Sequence, residues 1–198
     1  MAKHKIYPDF SLCGRMRSGK DSIADYLIKE FGYKKLSFAQ ALKEEVSKAV
    51  GCTVEEMNEE PLRSQIRPVL QVWGTEFRRN QNPDYWVAKL RDKITDSLEV
   101  TPYVVTDVRF LNEIEMLRSY EFVIVHVDMD EEETIDYLLS QGKELNEALN
   151  LLRHPSENEW KKAVFDERVE SVMGDLPYLF RQIANIVNPI GVSSGFYY

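Results

Sequence analysis

Residues 6–33 read IYPDFSLCGRMRSGKDSIADYLIKEFGY. An apolar run from Ile6 to Cys13 meets a glycine turn, and the amphipathic SIADYLIKEFGY follows, with Ile23, Tyr26, Leu27 and Phe31 on one helical face. The expected order is strand, loop, helix. Within it, Gly14-Arg15-Met16-Arg17-Ser18-Gly19-Lys20 carries the G-x-x-x-x-G-K spacing of a phosphate-binding P-loop, in the setting such a loop needs. The glycines let backbone N–H groups converge on phosphate oxygens. A helix starting near Gly19 adds the positive end of its dipole, and Lys20 brings a charge to the β and γ phosphates. A nucleoside triphosphate is the expected ligand. The residue after the lysine is Asp21 instead of the usual Ser or Thr, with Ser22 one position later. Asp21 serves magnesium as a hard oxygen ligand, directly or through water, or else favours the helix as a first-turn acid; Ser22 points about 100° further round.

Outward from this loop the chain keeps alternating. Lys35 to Phe38 reads as a second strand and AQALKEEVSKAVG as a helix stopped by Gly51. RSQIRPVLQVWGTEFRR and PDYWVAKLRDKITDSL read as two further helices, the first open to a break at Pro68 and the second opened by Pro83. TPYVVTD is a buried-type strand, FLNEIEMLRSY a helix and FVIVHVDM an apolar strand, as expected of a parallel sheet covered by helices. Residues 130–152 are acidic, with leucines at helical spacing. SENEWKKAVF reads as a helix, Val169 to Met173 as a weak strand, Leu176 to Ile186 as a helix, and 188–198 as a tail, flexible or packed through its aromatics. The class is α/β, and 198 residues suffice for one domain, 1–198.

Composition narrows the partners. With 25 Lys and Arg against 33 Asp and Glu, the net charge of −8 repels long nucleic acids, so a small phosphorylated substrate fits better. No apolar run approaches the roughly 20 residues of a membrane span. Cys13 and Cys52 are the only cysteines and MAKHKIYPDF lacks a secretory apolar stretch, so a reduced, cytoplasmic setting is expected. Two isolated cysteines with scattered His4, His126 and His154 offer no zinc spacing.

A second acid stands at Asp107, at the C-terminal end of strand Tyr103 to Thr106, the edge where open α/β sheets bind ligands. It resembles a Walker B carboxylate able to hold magnesium or its water. Arg109 follows, either as a planar phosphate clamp or as a surface salt bridge. Between the second strand and Asp107, cations including Lys43, Arg67 and Arg78 lie among Phe38, Trp73 and Trp86. Stacking faces beside arginines suit a nucleotide accepting a phosphoryl group, and helix packing explains many of the same residues.

GRMRSGKDSIADYL, SFAQALKEEV, LQVWGTEFRRNQNPDYWV, TDVRFLNEIEML and HPSENEW, in this order, resemble the deoxynucleoside monophosphate kinases typical of bacteriophages. The resemblance implies a P-loop NTPase fold of the nucleoside monophosphate kinase type. Its parallel five-stranded sheet is flanked by helices, with an acceptor-binding excursion at about 40–98 and a lid at about 130–153. It implies ATP and Mg2+ as cofactors, a deoxynucleoside monophosphate as acceptor, and is compatible with a homodimer. Carried over, Gly14, Arg15, Met16, Arg17, Ser18, Gly19, Lys20, Asp21 and Ser22 surround ATP, with Asp21 and Asp107 toward the metal. Lys20, Arg17, Asp107 and Arg109 are the catalytic candidates. Phe38, Lys43, Arg67, Trp73, Gly74, Thr75, Glu76, Arg78, Trp86, Asp107, Arg109, Asn112 and Glu113 are the acceptor candidates. The lid departs from the pattern: kinases of this fold often bring lid arginines to the transferring phosphate, but here only Lys143 and Arg153 are basic. Arg15, Arg17 or Arg153 would then supply that charge. Phosphomevalonate kinase of the animal type, with a similar GKD loop, and a nucleotide-binding module without turnover are the alternative readings.

Overall fold

The computed structural model describes residues 7–96, 100–154 and 157–188. The expected tail beyond 188, the start of the first strand at residue 6, the end of the helix read to residue 98, and positions 155–156 of the HPSENEW block lie outside the described residues. Two compact units divide the chain: residues 1–35 with 100–198, and residues 36–99.

The first unit is built on β1 (Phe10–Cys13), which precedes the glycine loop and α1 (Lys20–Phe31). β1 is buried at every position, which is why its sequence runs apolar without alternation. It pairs in parallel with β3 (Tyr103–Val105) on one side and β4 (Val123–Met129) on the other, and β5 (Glu167–Ser171) extends β4 in parallel. With β2 (Lys34–Leu36) the order is β2-β3-β1-β4-β5, a five-stranded parallel sheet flanked by helices. Placing β1 between β3 and β4 creates a switch point at its C-terminal end, where open sheets bind ligands. Phe10, Leu12, Val125 and Val127 pack with Ile23 and Leu27 of α1 and with Leu179 and Ile183 of α8 (Leu176–Val187). α5 (Leu111–Ser119) follows β3; α6 (Glu131–Ser140) and α7 (Leu145–Arg153) fill the acidic excursion between β4 and β5.

The second unit holds α2 (Phe38–Val50), α3 (Leu62–Gln71), a π-helical stretch Val72–Arg79, and α4 (Tyr85–Thr95). Its core is Val46, Met57 and Ile66, backed by Leu42, Leu70 and Trp73.

Three local expectations change. The second strand stops at Leu36, because the Ser37 side chain accepts from the Gln40 amide and opens α2 at Phe38. Pro68 breaks nothing; α3 runs through it and continues into the π-helical stretch. SENEWKKAVF yields only the short 3-10 turn Glu159–Lys162, and β5 lies two residues earlier than the pattern placed it.

Candidate active site: a phosphate loop held by buried carboxylates

The loop conformation demands its glycines. At Gly14 φ is 155°, and a Cβ there would lie 2.4 Å from the Val127 carbonyl oxygen and 2.9 Å from Ser18 Oγ. Gly19 has φ 86°, and its Cβ would meet Leu179 at 2.8 Å. Between them Arg17 holds φ 67°, a left-handed conformation that a side chain of its size seldom adopts. α1 starts at Lys20, so its first amides and dipole face the loop, as the sequence implied.

Lys20 Nζ donates to Gly14 O at 2.9 Å, to Ser18 Oγ at 3.2 Å and to Arg15 O. Burial, and then the neighbouring Arg109 charge, push its pKa down to about 8, against opposing pulls from Glu157 and Asp21. Cys13, just before the loop, is buried and its thiol is pushed up to about 12.

Asp21 is exposed, and its Oδ1 accepts from Lys35 Nζ at 2.7 Å and Thr106 Oγ1 at 3.0 Å. Burial raises its pKa, but the bond and charge of Lys35 and the Thr106 hydroxyl outweigh that and hold it below the usual range. Thr106 lies between β3 and Asp107, so Asp21 is fastened to the strand end that carries the second acid. Among the described residues no group of three or more His, Cys, Asp or Glu could hold a metal. Magnesium takes one or two carboxylates and draws its remaining ligands from water and phosphates, so the exposed Asp21, fastened beside the strand end, has the chemistry of such a ligand.

Beyond Asp107 the buried Glu113 receives the backbone N–H groups of Arg109, at 2.7 Å, and Phe110, at 3.1 Å, and so shapes the DVRF turn at the start of α5. The Arg109 guanidinium pairs with Glu157, whose side chain is 3% exposed. The other Glu157 oxygen accepts from the Met16 amide of the loop at 2.9 Å. One buried carboxylate thus ties the loop to Arg109. Asn112 sits in the first turn of α5. Arg153 and Glu131 share the lining of a cavity of about 360 Å³ with Leu149, Leu152 and Asn158.

In the second unit the centre is Glu45. Its carboxylate accepts from Trp73 Nε1 at 2.9 Å, Arg78 Nε at 2.6 Å and Tyr85 Oη at 2.7 Å. Burial works against its ionisation, but these three donors hold its pKa below the usual range. The Arg78 guanidinium lies over the Phe77 and Tyr85 rings, 4.9 and 4.7 Å from their centroids. A Cβ at Gly74 would meet the end of the Leu42 side chain at 2.9 Å, which a shift of that side chain would relieve, and the Gly74 carbonyl accepts from Trp86 Nε1. Phe38 and Trp86 are buried as packing residues, Lys43 bonds Asn58, and Arg67, Thr75 and Glu76 are exposed. Of the sequence candidates here, the structure brings together Trp73 and Arg78 on Glu45.

Glu157, Glu45, Thr106 and Lys35 were not read as site residues. Glu157 had a signal, since it closes the H-x-S-E element of the HPSENEW block. Glu45 has no local signal, standing beside Glu44 in the run KEEV.

A P-loop entering α1 at the switch point of a five-stranded parallel sheet defines the fold of the P-loop kinases, in keeping with ATP-dependent transfer to a small molecule. The chain belongs to the phosphomevalonate kinase family, whose model matches residues 12–122, more than half of its length. Protein TT1252 from Thermus thermophilus is similar in structure, with a TM-score of 0.56 and 19% identity over 96% of this chain and 100% of that one. Shikimate kinase from Acinetobacter baumannii, in complex with shikimate, has a TM-score of 0.54 and 16% identity over 92% and 94%. At these identities the likeness speaks for the fold. The uncharacterized protein ORF77 of Ictalurid herpesvirus 1 (strain Auburn) is 30% identical over 119 residues, 59% of this chain, which spans about half of that relative, 49%. No helix among the described residues is long and apolar enough to cross a membrane.

Proposed function

We propose that the chain transfers the γ-phosphoryl group of ATP to the phosphate of a small monoester, with a deoxynucleoside monophosphate as the acceptor. The observation that carries the ATP half is the loop itself, with Gly14 and Gly19 strained open and Lys20 at its end. For phosphoryl transfer the protein has little covalent chemistry to do, so positioning and charge matter most. Lys20 exchanges its bonds to the Gly14 and Arg15 carbonyls for phosphate oxygens. Arg109, held by Glu157, brings a second cation to the same region. Asp21 and Asp107 would hold magnesium, which would supply charge neutralisation at the phosphates. In the second unit, Trp73, Phe77 and Tyr85 around Arg78 suit a base and its phosphate, which supports a nucleotide acceptor.

Phosphomevalonate is the second reading, favoured by the family match. Both acceptors carry a phosphate monoester and give a diphosphate. ADP release from ATP, measured with dTMP, dGMP, dCMP and phosphomevalonate in turn, separates them. Release stimulated by a deoxynucleotide supports the first reading; release stimulated by phosphomevalonate alone replaces it with the second. Turnover with neither leaves a nucleotide-binding module and overturns both.

A further inference from the structure

Three consecutive residues of the phosphate loop are held by three residues from the acidic excursion between β4 and β5. Arg15 Nη2 pairs with Glu131 Oε2 at 2.7 Å, at the first residue of α6. The Met16 amide donates to Glu157 Oε2 at 2.9 Å, beyond the end of α7. The Arg17 guanidinium lies 4.9 Å from the centroid of the Tyr137 ring, further along α6. The first helix of the lid, and Glu157 beyond its last, are therefore fastened to the loop. The charge pattern departs from a lid that carries several arginines to a phosphate: on the lid Lys143 is engaged with Glu147 and Arg153 is the single arginine, while Arg15 and Arg17 belong to the loop.

Two features show that these arginines are held for use. Arg17 is a non-glycine residue at φ 67°, a conformation that persists only where the surroundings over-determine it and that clusters at ligand clamps. Arg15 Nη1 is buried with no hydrogen-bond partner among the described residues, so one arm of its fork pairs with Glu131 and the other has donor capacity to spare.

We propose that α6 is a positioning device for the loop arginines: Glu131 and Tyr137 set where Arg15 and Arg17 present charge to the triphosphate, and Glu157 fixes the backbone between them. The inference rests on the reading that the loop holds ATP. A cation over an aromatic ring at a partly exposed site is worth a few-fold in an equilibrium constant. Calorimetric titration of the intact chain with ATP and magnesium, which needs no turnover, tests it. Tyr137→Ala lowers affinity about 3- to 5-fold. Tyr137→Phe, which keeps the ring, restores it. Arg17→Ala, which removes the charge itself, loses at least as much as Tyr137→Ala, and the double variant loses no more than Arg17→Ala alone, because the ring acts through the guanidinium. In turnover, Glu131→Gln keeps the shape but drops the charge, and lowers kcat more than it raises KM for ATP. Wild-type affinity in Tyr137→Ala, equal weakening by Tyr137→Phe, or losses that multiply in the double variant would overturn the assignment. A wild-type chain that bound no ATP would sink the ATP reading itself, and the inference with it.

Discussion

The phosphate loop and the unit of residues 36–99 are organised in different ways. At the loop the shape is set in the backbone, by Gly14 at φ 155° and Gly19 at φ 86°, and at Gly14 an added Cβ would lie 2.4 Å from a carbonyl oxygen. In the second unit the polar arrangement is made of side chains on three helical segments, joined by the Glu45 carboxylate. An arrangement set in the backbone leaves a local signature in sequence, a spacing of glycines. One made of side chains leaves residues 28 to 40 positions apart, with nothing local to connect them.

The hardest way to break the loop is at its lysine. Lys20→Ala lowers kcat/KM for ATP on the order of 10²- to 10³-fold, the cost of losing one preorganised charge at the transferring group. Because burial already disfavours its charge, the same variant melts within a few degrees of wild type, which differential scanning calorimetry checks.

Glu157 extends the loop to a carboxylate more than a hundred residues away. Arg109→Ala leaves Glu157, 3% exposed, buried without its cation, and breaking such a pair is strongly destabilising. The guanidinium is 40% exposed, so solvent screening reduces the loss to about 2 kcal/mol. Chemical denaturation reads it, and a loss below about 0.5 kcal/mol would show that the pair stores little.

Glu45 tests the other side of the comparison. Glu45→Gln weakens the bonds from Trp73, Arg78 and Tyr85 by about 1 kcal/mol in total stability. If this unit serves the acceptor, KM for the acceptor rises while KM for ATP stays put; the opposite split reassigns the unit.

The smallest effect is on pH. The lysine pKa is lowered to about 8, so the charged form that attracts phosphates is present below that value and lost as pH rises through it. kcat/KM for ATP therefore falls on the alkaline side of about pH 8, and Lys20→Arg, which stays protonated, removes the fall.

Much of the sheet was legible because buried strands beside helices leave unmixed apolar runs, as at Tyr103–Val105. What failed did so where long-range structure overrode local signals. Pro68 looked like a break but sits where α3 passes smoothly into the π-helical stretch. SENEWKKAVF carried helical spacing, yet Trp160 is buried and Glu157 is committed to the loop, leaving a short turn. The site followed the same rule. The loop from Gly14 to Lys20 was readable from spacing, while Glu157 and Glu45 act through contacts that only the fold creates. The acidic excursion, read as a departure because only Lys143 and Arg153 are basic there, grips the arginines of the loop through Glu131 and Tyr137.

The central claim is that the γ-phosphoryl group moves from ATP onto a phosphate monoester, and its most direct test follows that group with a γ-labelled ATP. The account predicts label in the diphosphate of the acceptor, formed by wild type and lost in Lys20→Ala. Label released only as inorganic phosphate, or retained in ATP with every acceptor, would contradict it.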